Sequence, residues 1–320
     1  MAQAPGREPT TGAPVIEVRG ITKQYGELTA LDGVSFTVQP GEIFGILGPN
    51  GAGKTTLVEI LEGLTKPTAG DASVLGHDIR TATDEVKKRV GVQLQASSYH
   101  QYLTLREILE LFGSFYPRSA DAGELLQRVH LADRAEARIK QLSGGMQQRF
   151  SIVAALVNQP DLVFFDEPTA GLDPDARRDL WDIVRSVRDE GSTVVLTTHY
   201  MEEAEALCDR VMMMDRGRIA ALDTPPGLVR SLHAPYRVRM TTLGQIDVTR
   251  VSALPGTSEV HHFAEGNLEV LELRAEKAPP TVTALTGLAQ DAGAEVVDLA
   301  VLPATLEDVF LSVTGRGLSG

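Results

Sequence analysis

The sequence has little cysteine and no long apolar run. One residue of 320 is cysteine, Cys208, so an internal disulfide is excluded, which fits a reducing compartment. No apolar run approaches the roughly 18 residues that a membrane-spanning helix needs. Residues 1–14 lack the apolar core of a secretory signal, and we expect a disordered tail there. If this protein serves a membrane process, the membrane-embedded part is therefore expected to be another chain.

Basic residues are also in deficit. The chain has 30 Lys and Arg against 43 Asp and Glu, a formal net charge of -13. Surfaces that bind nucleic acid are normally basic, and anionic membrane surfaces attract basic segments. The charge therefore argues against both of these partners. A hydrophobic content of 42% is enough for a sizeable core, so the chain is expected to be globular.

Short apolar runs alternate with helical patterns from Val15 to about Gly217. The runs that predict strands are Val15–Val18, Glu42–Leu47, Val90–Leu94, Leu162–Phe165, Thr193–Thr198 and Arg210–Asp215. This alternation predicts an α/β domain with a mostly parallel core sheet. Consecutive helices predicted at Leu103–Phe115 and Asp121–His130 indicate a helical insertion in that domain.

The pattern changes after the proline pair at 225 and 226, from about Leu232 onward. Three segments alternate like half-exposed strands, Tyr236–Met240, Asn267–Leu273 and Glu295–Val301, and apolar residues near 285 and 310 have helical spacing. We therefore predict a small α+β C-terminal domain over residues 232–320. Its closing helix could pack on its own strands, stabilise a homodimer or contact a membrane subunit.

The segment Gly48–Thr56 follows a predicted strand and opens a predicted helix. Its sequence, GPNGAGKTT, is the phosphate-binding pattern G-x-x-x-x-G-K-[ST] in the required strand–loop–helix context. Glycines allow backbone N–H groups to surround phosphate oxygens, and the helix N-terminus adds its dipole. Lys54 would place a charge on the β- and γ-phosphates, and the Thr55 hydroxyl would ligate Mg²⁺. The alternative is a glycine-rich turn with an incidental lysine.

Two carboxylates end the apolar run at Leu162–Phe165. In enzymes with a phosphate loop, an aspartate in the position of Asp166 holds Mg²⁺. The neighbouring Glu167 could polarise a water molecule for in-line attack. The alternative is a strand that simply ends in a solvated acidic turn.

A second candidate anion site is the segment LSGGMQQR, Leu142–Arg149. Ser143 is a good helix N-cap, and the two glycines after it leave backbone N–H groups accessible. An ordinary capped helix is the alternative interpretation. The presence of the phosphate loop and the Asp-Glu pair in the same chain favours a functional role.

In this order the motifs resemble those of ABC transporter nucleotide-binding subunits. The resemblance rests on GPNGAGKT, LSGGMQQR, LVFFDEP and a histidine after a strand, His199, and it extends from Val15 to about Arg230. It implies an ATP-binding cassette over residues 15–231, with an antiparallel β subdomain and a helical subdomain at about 96–158. The closing segment Leu306–Arg316 resembles the end of ATPases in the daunorubicin-type drug-resistance exporter branch.

The resemblance also implies a role for individual residues. Tyr25 matches the aromatic residue that stacks on adenine, and Gln95 matches the glutamine that contacts Mg²⁺ and water, although Gln93 is a nearby alternative. Asp173 matches the loop that links two sites, and His199 matches the residue that contacts the γ-phosphate. The predicted catalytic residues are Glu167, His199 and Gln95, and the metal ligands are Thr55, Gln95 and Asp166. The predicted ATP-binding residues are Tyr25, Gly48, Pro49, Asn50, Gly51, Ala52, Gly53, Lys54, Thr55, Thr56, Ser143, Gly144, Gly145 and Asp173.

The family pattern further implies a head-to-tail dimer. Each ATP would lie between the phosphate loop of one copy and Ser143–Gly145 of a second copy. The expected function is ATP hydrolysis that powers export of a drug-like molecule, lipid or polysaccharide through a separate permease, at the cytoplasmic face of the membrane. One alternative is a soluble ABC ATPase that acts on ribosomes or DNA, and another is a regulatory module that binds ATP without turnover.

Overall fold

The computed structural model describes residues 12–93 and 99–315. The chain divides into two compact units, of which the first ends at Thr224 and the second begins at Pro225. The boundary predicted from the sequence follows residue 231, whereas the short helix at Pro225–Arg230 belongs to the second unit. The predicted tail, apart from residues 12–14, lies outside the described residues.

The first unit contains strands β1 to β10 and helices α1 to α7. The strands are Ile16–Tyr25, Leu28–Val38, Ile43–Leu47, Ala69–Val74, His77–Asp78, Val90–Gln93, Leu162–Asp166, Thr193–Thr198, Arg210–Asp215 and Arg218–Asp223. The helices are Lys54–Leu61, Thr83–Lys87, Leu105–Gly113, Ala122–Arg128, Gly144–Ala154, Pro174–Asp189 and Met201–Leu207.

The central sheet has six strands in the order β10-β9-β3-β8-β7-β6. Strands β9, β3, β8, β7 and β6 run parallel, and β10 pairs antiparallel with β9 at one edge. Every residue of β3 and β8 is buried, as expected for strands that are covered on both faces. The prediction of a mostly parallel core is confirmed.

A second sheet, in the order β2-β1-β4-β5, is antiparallel throughout. Its apolar side chains share one core with the central sheet, where the Phe36 and Phe44 rings stack with centroids 5.4 Å apart. β1 continues to Tyr25, well beyond the predicted Val15–Val18, because its pairing with β2 continues through β-bulges that interrupt the alternation of buried and exposed residues.

Helices α3, α4 and α5 lie within the range predicted for a helical subdomain. Thr104 and Glu107 form a reciprocal capping box at the start of α3, and the Asp121 carboxylate caps α4. These caps satisfy backbone N–H groups and begin the helices two and one residues after their predicted starts.

The second unit contains strands β11 to β14 and helices α8 to α11. The strands are Tyr236–Leu243, Thr257–Glu265, Leu268–Ala275 and Glu295–Pro303; the helices are Pro225–Arg230, Val248–Ser252, Ala278–Asp291 and Leu306–Thr314. The antiparallel sheet has the order β12-β13-β11-β14. The closing helix α11 buries Leu306, Val309 and Phe310, and its Asp308 pairs with Arg274 of β13. Packing on its own unit, one of the three roles predicted as alternatives for this helix, is the one that the structure shows.

Across residues 12–93 and 99–315, none of the helices has both the length and the apolar character that crossing a bilayer requires.

Candidate functional site

Three predicted motifs follow adjacent parallel strands of the central sheet. The glycine-rich loop follows β3, the acidic pair ends β7, and His199 follows β8, while the strand order places β8 between β3 and β7. The carboxyl ends of adjacent parallel strands lie at one edge of a sheet, where α/β proteins commonly bind ligands. The fold therefore brings Lys54, Asp166, Glu167 and His199 to one site.

The glycine-rich loop is held by close backbone packing. A β-carbon on Gly48 would lie 2.5 Å from the carbonyl oxygen of Met214, and one on Gly53 would lie 2.6 Å from that of Ala30. Gly53 also has a φ of 101°, which is strained for any other residue. The backbone N–H of Gly217 donates to the carbonyl of Ala52 at 3.0 Å. Glycine is therefore required at residue 48 by sterics, and at residue 53 by both sterics and conformation.

Lys54 is the first residue of α1 and its side chain is buried. The ammonium donates to the carbonyl oxygens of Gly48 at 2.7 Å and Pro49 at 3.2 Å. Its Nζ also lies 3.7 Å from Oε1 of Glu167. Burial lowers the pKa of Lys54, while the negative charges of Glu167 and Asp166 act in the opposite direction. The cation therefore lies between the phosphate loop and the acidic pair.

The hydroxyl of Thr197 positions the acidic pair. This side chain lies on β8, beside the end of β7, and donates a hydrogen bond to Oδ1 of Asp166. The hydroxyl oxygen of Thr197 in turn accepts a hydrogen bond from the backbone N–H of Glu167 at 3.0 Å. Glu167 has a φ of 47°, a left-handed conformation that is uncommon outside glycine. Thr197 thus holds an irregular backbone segment at the strand end, although it belongs to none of the motifs recognisable in the sequence.

His199 lies on the other side of Glu167. Its Nδ1 is 3.3 Å from Oε1 of Glu167, the oxygen that also faces Lys54. The imidazole packs on the ring of Tyr200, with centroids 4.1 Å apart. The sequence gives little indication of this contact beyond the fact that Tyr200 directly follows the histidine.

The second candidate anion site is the start of α5. Ser143 is the N-cap, and its hydroxyl accepts a hydrogen bond from the backbone N–H of Met146 at 3.4 Å. Ser143 and Gly144 are exposed. A β-carbon on Gly145 would lie 3.6 Å from the side chain of Leu172, so this helix start is adjacent to the loop that precedes α6.

Two further predicted residues lie on the surface. The Asp173 carboxylate is exposed and caps α6 by accepting from the N–H groups of Asp175 and Ala176 at 3.1 and 2.9 Å. Tyr25 is 47% exposed at the end of β1, with Nζ of Lys23 4.7 Å from its ring centroid. One face of Tyr25 therefore already contacts a cation.

The other predicted residues are Gln95, which lies outside the described residues, and Thr55 in the first turn of α1. β6 ends at Gln93, whose side chain is buried. Thr55 is exposed beside the loop, and Asp166 is partly buried at the end of β7. Mg²⁺ bound to phosphates usually takes only one or two protein side chains and keeps several waters, so these two oxygen donors fit it.

Comparison with known proteins gives close matches along most of the chain. The sequence profile of the family described as ABC transporter matches residues 31–170. A daunorubicin resistance ATP-binding protein of Streptomyces coeruleorubidus is 40% identical over 311 residues, which are 94% of this chain and 96% of that protein. A Nod factor export ATP-binding protein of Burkholderia lata is 39% identical over 94% of this chain and 97% of that protein.

Solved structures match about two thirds of the chain. An ATP-binding subunit of an ABC transporter has a TM-score of 0.62 at 29% identity and covers 68% of this chain and 92% of its own. A dimeric ATP-binding cassette in a post-hydrolysis state with ADP and Pi has a TM-score of 0.60 at 28% identity, covering 65% and 98%. These matches confirm the predicted fold class and the predicted ATPase. The chain belongs to the ATP-binding proteins of ABC transporters and is the ATPase subunit of such a transporter.

Proposed function

We propose that this ATPase powers export through a separate permease, with a drug-like molecule, lipid or polysaccharide as cargo. The observation that carries the proposal is the near full-length similarity to proteins named for daunorubicin resistance and for Nod factor export. The similarity includes the second unit, since the matches cover 94% of the chain. Substrate choice would lie mainly in the permease.

The geometry supports a distinct role for each described residue of the site, and the motif resemblance alone adds Gln95. Lys54 and the backbone N–H groups of residues 50–56 would bind the phosphates, with Tyr25 stacking on adenine. Thr55, Asp166 and Gln95 would hold Mg²⁺, which neutralises developing charge on the phosphates. Glu167 would accept a proton from the attacking water, and His199 would contact the γ-phosphate. The short distances among Lys54, Glu167 and His199 support this arrangement.

A second copy of the chain would complete each site. Ser143 and Gly144 are exposed at a helix start whose dipole favours an anion, so they can meet a phosphate from outside their own chain. Asp173 is exposed at the start of α6 and would contact the opposite site. A solved dimeric cassette of the same fold supports pairing of two copies.

A groove on the first unit provides a surface for the permease. It has a volume of about 530 Å³ and is lined by aromatic side chains, including Phe112, Tyr116 and Phe115, which is 72% exposed. Glu62 is buried and also lines it, so an acidic group meets an apolar surface there. An apolar permease segment that presents one hydrogen-bonding side chain to the Glu62 carboxyl group matches both features. This contact would hold the chain at the cytoplasmic face of the membrane.

The experiment that tests the proposal is copurification with the candidate permease from detergent-solubilised membranes. The expected result is a complex whose ATPase rate depends on the permease, and Phe115→Glu should weaken it while basal hydrolysis stays unchanged. Leu243→Glu, at an exposed position of the second unit, is the control. Recovery with ribosomes or DNA in the absence of membranes would instead favour the alternative, against which the charge of -13 argues.

A further inference from the structure

A group of buried polar side chains surrounds Glu203, outside the residues assigned to nucleotide. Glu203 lies in α7 and is fully buried. Its carboxylate is near the side chains of Thr169, Arg177, Trp181 and Thr198, and we call these five residues the Glu203 cluster. Burial raises the pKa of Glu203, against the opposing influence of these hydroxyl, indole and guanidinium groups.

Several atoms of the cluster lack hydrogen bonds. Both carboxylate oxygens of Glu203, Oγ1 of Thr169, Nε of Arg177 and Nε1 of Trp181 are buried and have no partner in good hydrogen-bond geometry among the described residues. The hydroxyl and indole donors nevertheless lie close enough to Glu203 to favour its charged form. A buried polar atom without a partner is costly, and here several of them adjoin one another. The Glu203 carboxylate can only accept hydrogen bonds, whereas the side chains of Thr169, Arg177 and Trp181 can donate them. A small shift of one segment would therefore allow these groups to pair.

The cluster joins two loops of the proposed site. Thr169 is in the loop that follows Glu167, and Arg177 and Trp181 are four residues apart on α6, the helix that Asp173 caps. Glu203 lies in the first turn of α7, and this helix begins directly after His199 and Tyr200. A carboxylate on one helix therefore faces donors from the other helix and from the catalytic loop.

A second contact connects the same two helices at the site itself. The Arg177 guanidinium carbon lies 4.2 Å from the ring centroid of Tyr200, whose ring packs on His199 at 4.1 Å. Nη1 of Arg177 also lies 3.8 Å from a carboxylate oxygen of Glu202. The start of α6 and the His199 segment are thus linked through Tyr200 on the outside and through the Glu203 cluster on the inside.

We propose that Glu203 is a positioning residue that couples the loop of Thr169 and Asp173 to the His199 segment, so that the two respond to nucleotide together. The proposal rests on the roles given to His199 and Asp173 under the proposed function. A cluster kept only for packing would work equally well with an apolar side chain, because an unpaired buried carboxylate destabilises the fold. Positioning and packing therefore predict opposite results for an apolar substitution.

The test compares Glu203→Leu, Glu203→Gln and the wild type in the full-length chain, with Glu205→Leu on the exposed face of α7 as the control. For Glu203→Leu we expect kcat to fall by at least about tenfold, as for a displaced catalytic group, with KM for ATP within about twofold and an undiminished thermal midpoint. Glu203→Gln keeps one acceptor oxygen and should retain most of kcat. A wild-type kcat in Glu203→Leu would overturn the proposal.

Trp181 gives a second, direct readout because it is the single tryptophan of the chain. We expect ATP and Mg²⁺ to shift the indole emission of Glu167→Gln, and we expect Glu203→Leu in that background to bind ATP without the shift. An identical shift in both would overturn the coupling. If Glu203→Leu does not fold, Trp181→Phe replaces it: it should lower kcat but not KM, and an unchanged kcat would overturn the proposal.

The two hypotheses fail in different ways. If the wild type hydrolyses ATP and Glu203→Leu does so equally, the positioning role fails and the ATPase assignment stands. If the wild type binds ATP without turnover, the catalytic roles fail, and the emission of Trp181 still decides whether the cluster responds to nucleotide.

Discussion

Nζ of Lys54 lies 3.7 Å from Oε1 of Glu167, and both side chains are largely buried. The same Oε1 is 3.3 Å from Nδ1 of His199, so one carboxylate oxygen is shared by two groups. If Lys54 turns toward phosphate when ATP binds, it leaves this oxygen and the carboxylate becomes accessible to water. The residue that binds phosphate would in this way also regulate the proposed base.

Replacement of that base tests its role. We expect Glu167→Gln to bind ATP normally and to lower turnover by at least about 100-fold, because Gln cannot accept a proton in the transition state. Single-turnover hydrolysis and ATP titration measure the two effects. Glu110→Gln, exposed on α3, should match the wild type. Near-normal hydrolysis by purified Glu167→Gln would rule out this assignment.

Removal of the buried ammonium should affect binding first. Lys54→Ala deletes the charge assigned to the phosphates, and we expect calorimetry to detect no tight ATP binding. Lys66→Ala, an exposed lysine after the same helix, is the matched control. Equal affinities for Lys54→Ala and the wild type would contradict the proposed cradle.

Thr197→Val removes a hydroxyl without changing the shape of the side chain. Asp166 would lose a donor and the backbone N–H of Glu167 would lose an acceptor, so we expect a destabilisation of about 1–3 kcal/mol. We also expect kcat to fall more than ATP affinity, because the acidic pair would shift. Thr197→Ser keeps the hydroxyl and should restore both quantities. Urea denaturation and steady-state kinetics measure them, and a Ser variant as impaired as Val would disprove the role of the hydroxyl.

Glu62 predicts a pH-dependent stability. Burial, followed by the negative charges of Asp166 and Glu59, raises its pKa from 4.5 to about 8. Between these values the folded chain holds a proton that the unfolded chain releases, so the free energy of unfolding falls as the pH rises, by at most about 5 kcal/mol from this group. Glu62→Gln cannot ionise, so its stability relative to wild type should increase from pH 5 to pH 8.5.

Calorimetric melting at several pH values measures this difference. Glu124→Gln, exposed on α4, should remain parallel to the wild type across the range. If the stability of Glu62→Gln also follows that of the wild type at every pH, the Glu62 carboxylate does not titrate between pH 5 and pH 8.5.

Mixed dimers test the shared site. In a head-to-tail pair, one Lys54→Ala chain and one Ser143→Arg chain form one doubly defective site and one intact site. We expect each variant alone to be inactive and an equal mixture to recover turnover, at about a quarter of the wild-type rate if copies pair at random. An inactive mixture of folded variants would exclude a site shared in this way.

The sequence predicts those parts of the site that depend on local motifs. The strand–loop–helix around Lys54, the buried strand that ends at Asp166 and the cap at Ser143 are all local, and the structure has each of them. Leu28–Val38 was not predicted as a strand because Asp32 and Gly33 interrupt its alternation, and pairing with β1 overrides that local signal.

Thr197 and Glu203 could not be identified in the same way. Their significance comes from neighbours on other strands and helices, and the sequence places Thr197 31 positions from Asp166. A threonine in an apolar strand and a glutamate in an acidic helix are both ordinary residues. Their roles become visible only when the fold brings β7 beside β8 and α6 beside α7.

The close packing of Gly48 and Gly53 against neighbouring carbonyls has a consequence for affinity. Because these contacts come from β9 and from the strand of Ala30, they hold the loop in shape without help from nucleotide. A preorganised loop loses little conformational entropy on binding, so more of the interaction energy with phosphate remains available. This interaction energy can drive closure of a dimer instead of ordering the loop. With a larger residue at either glycine, part of the energy would be needed to order the loop.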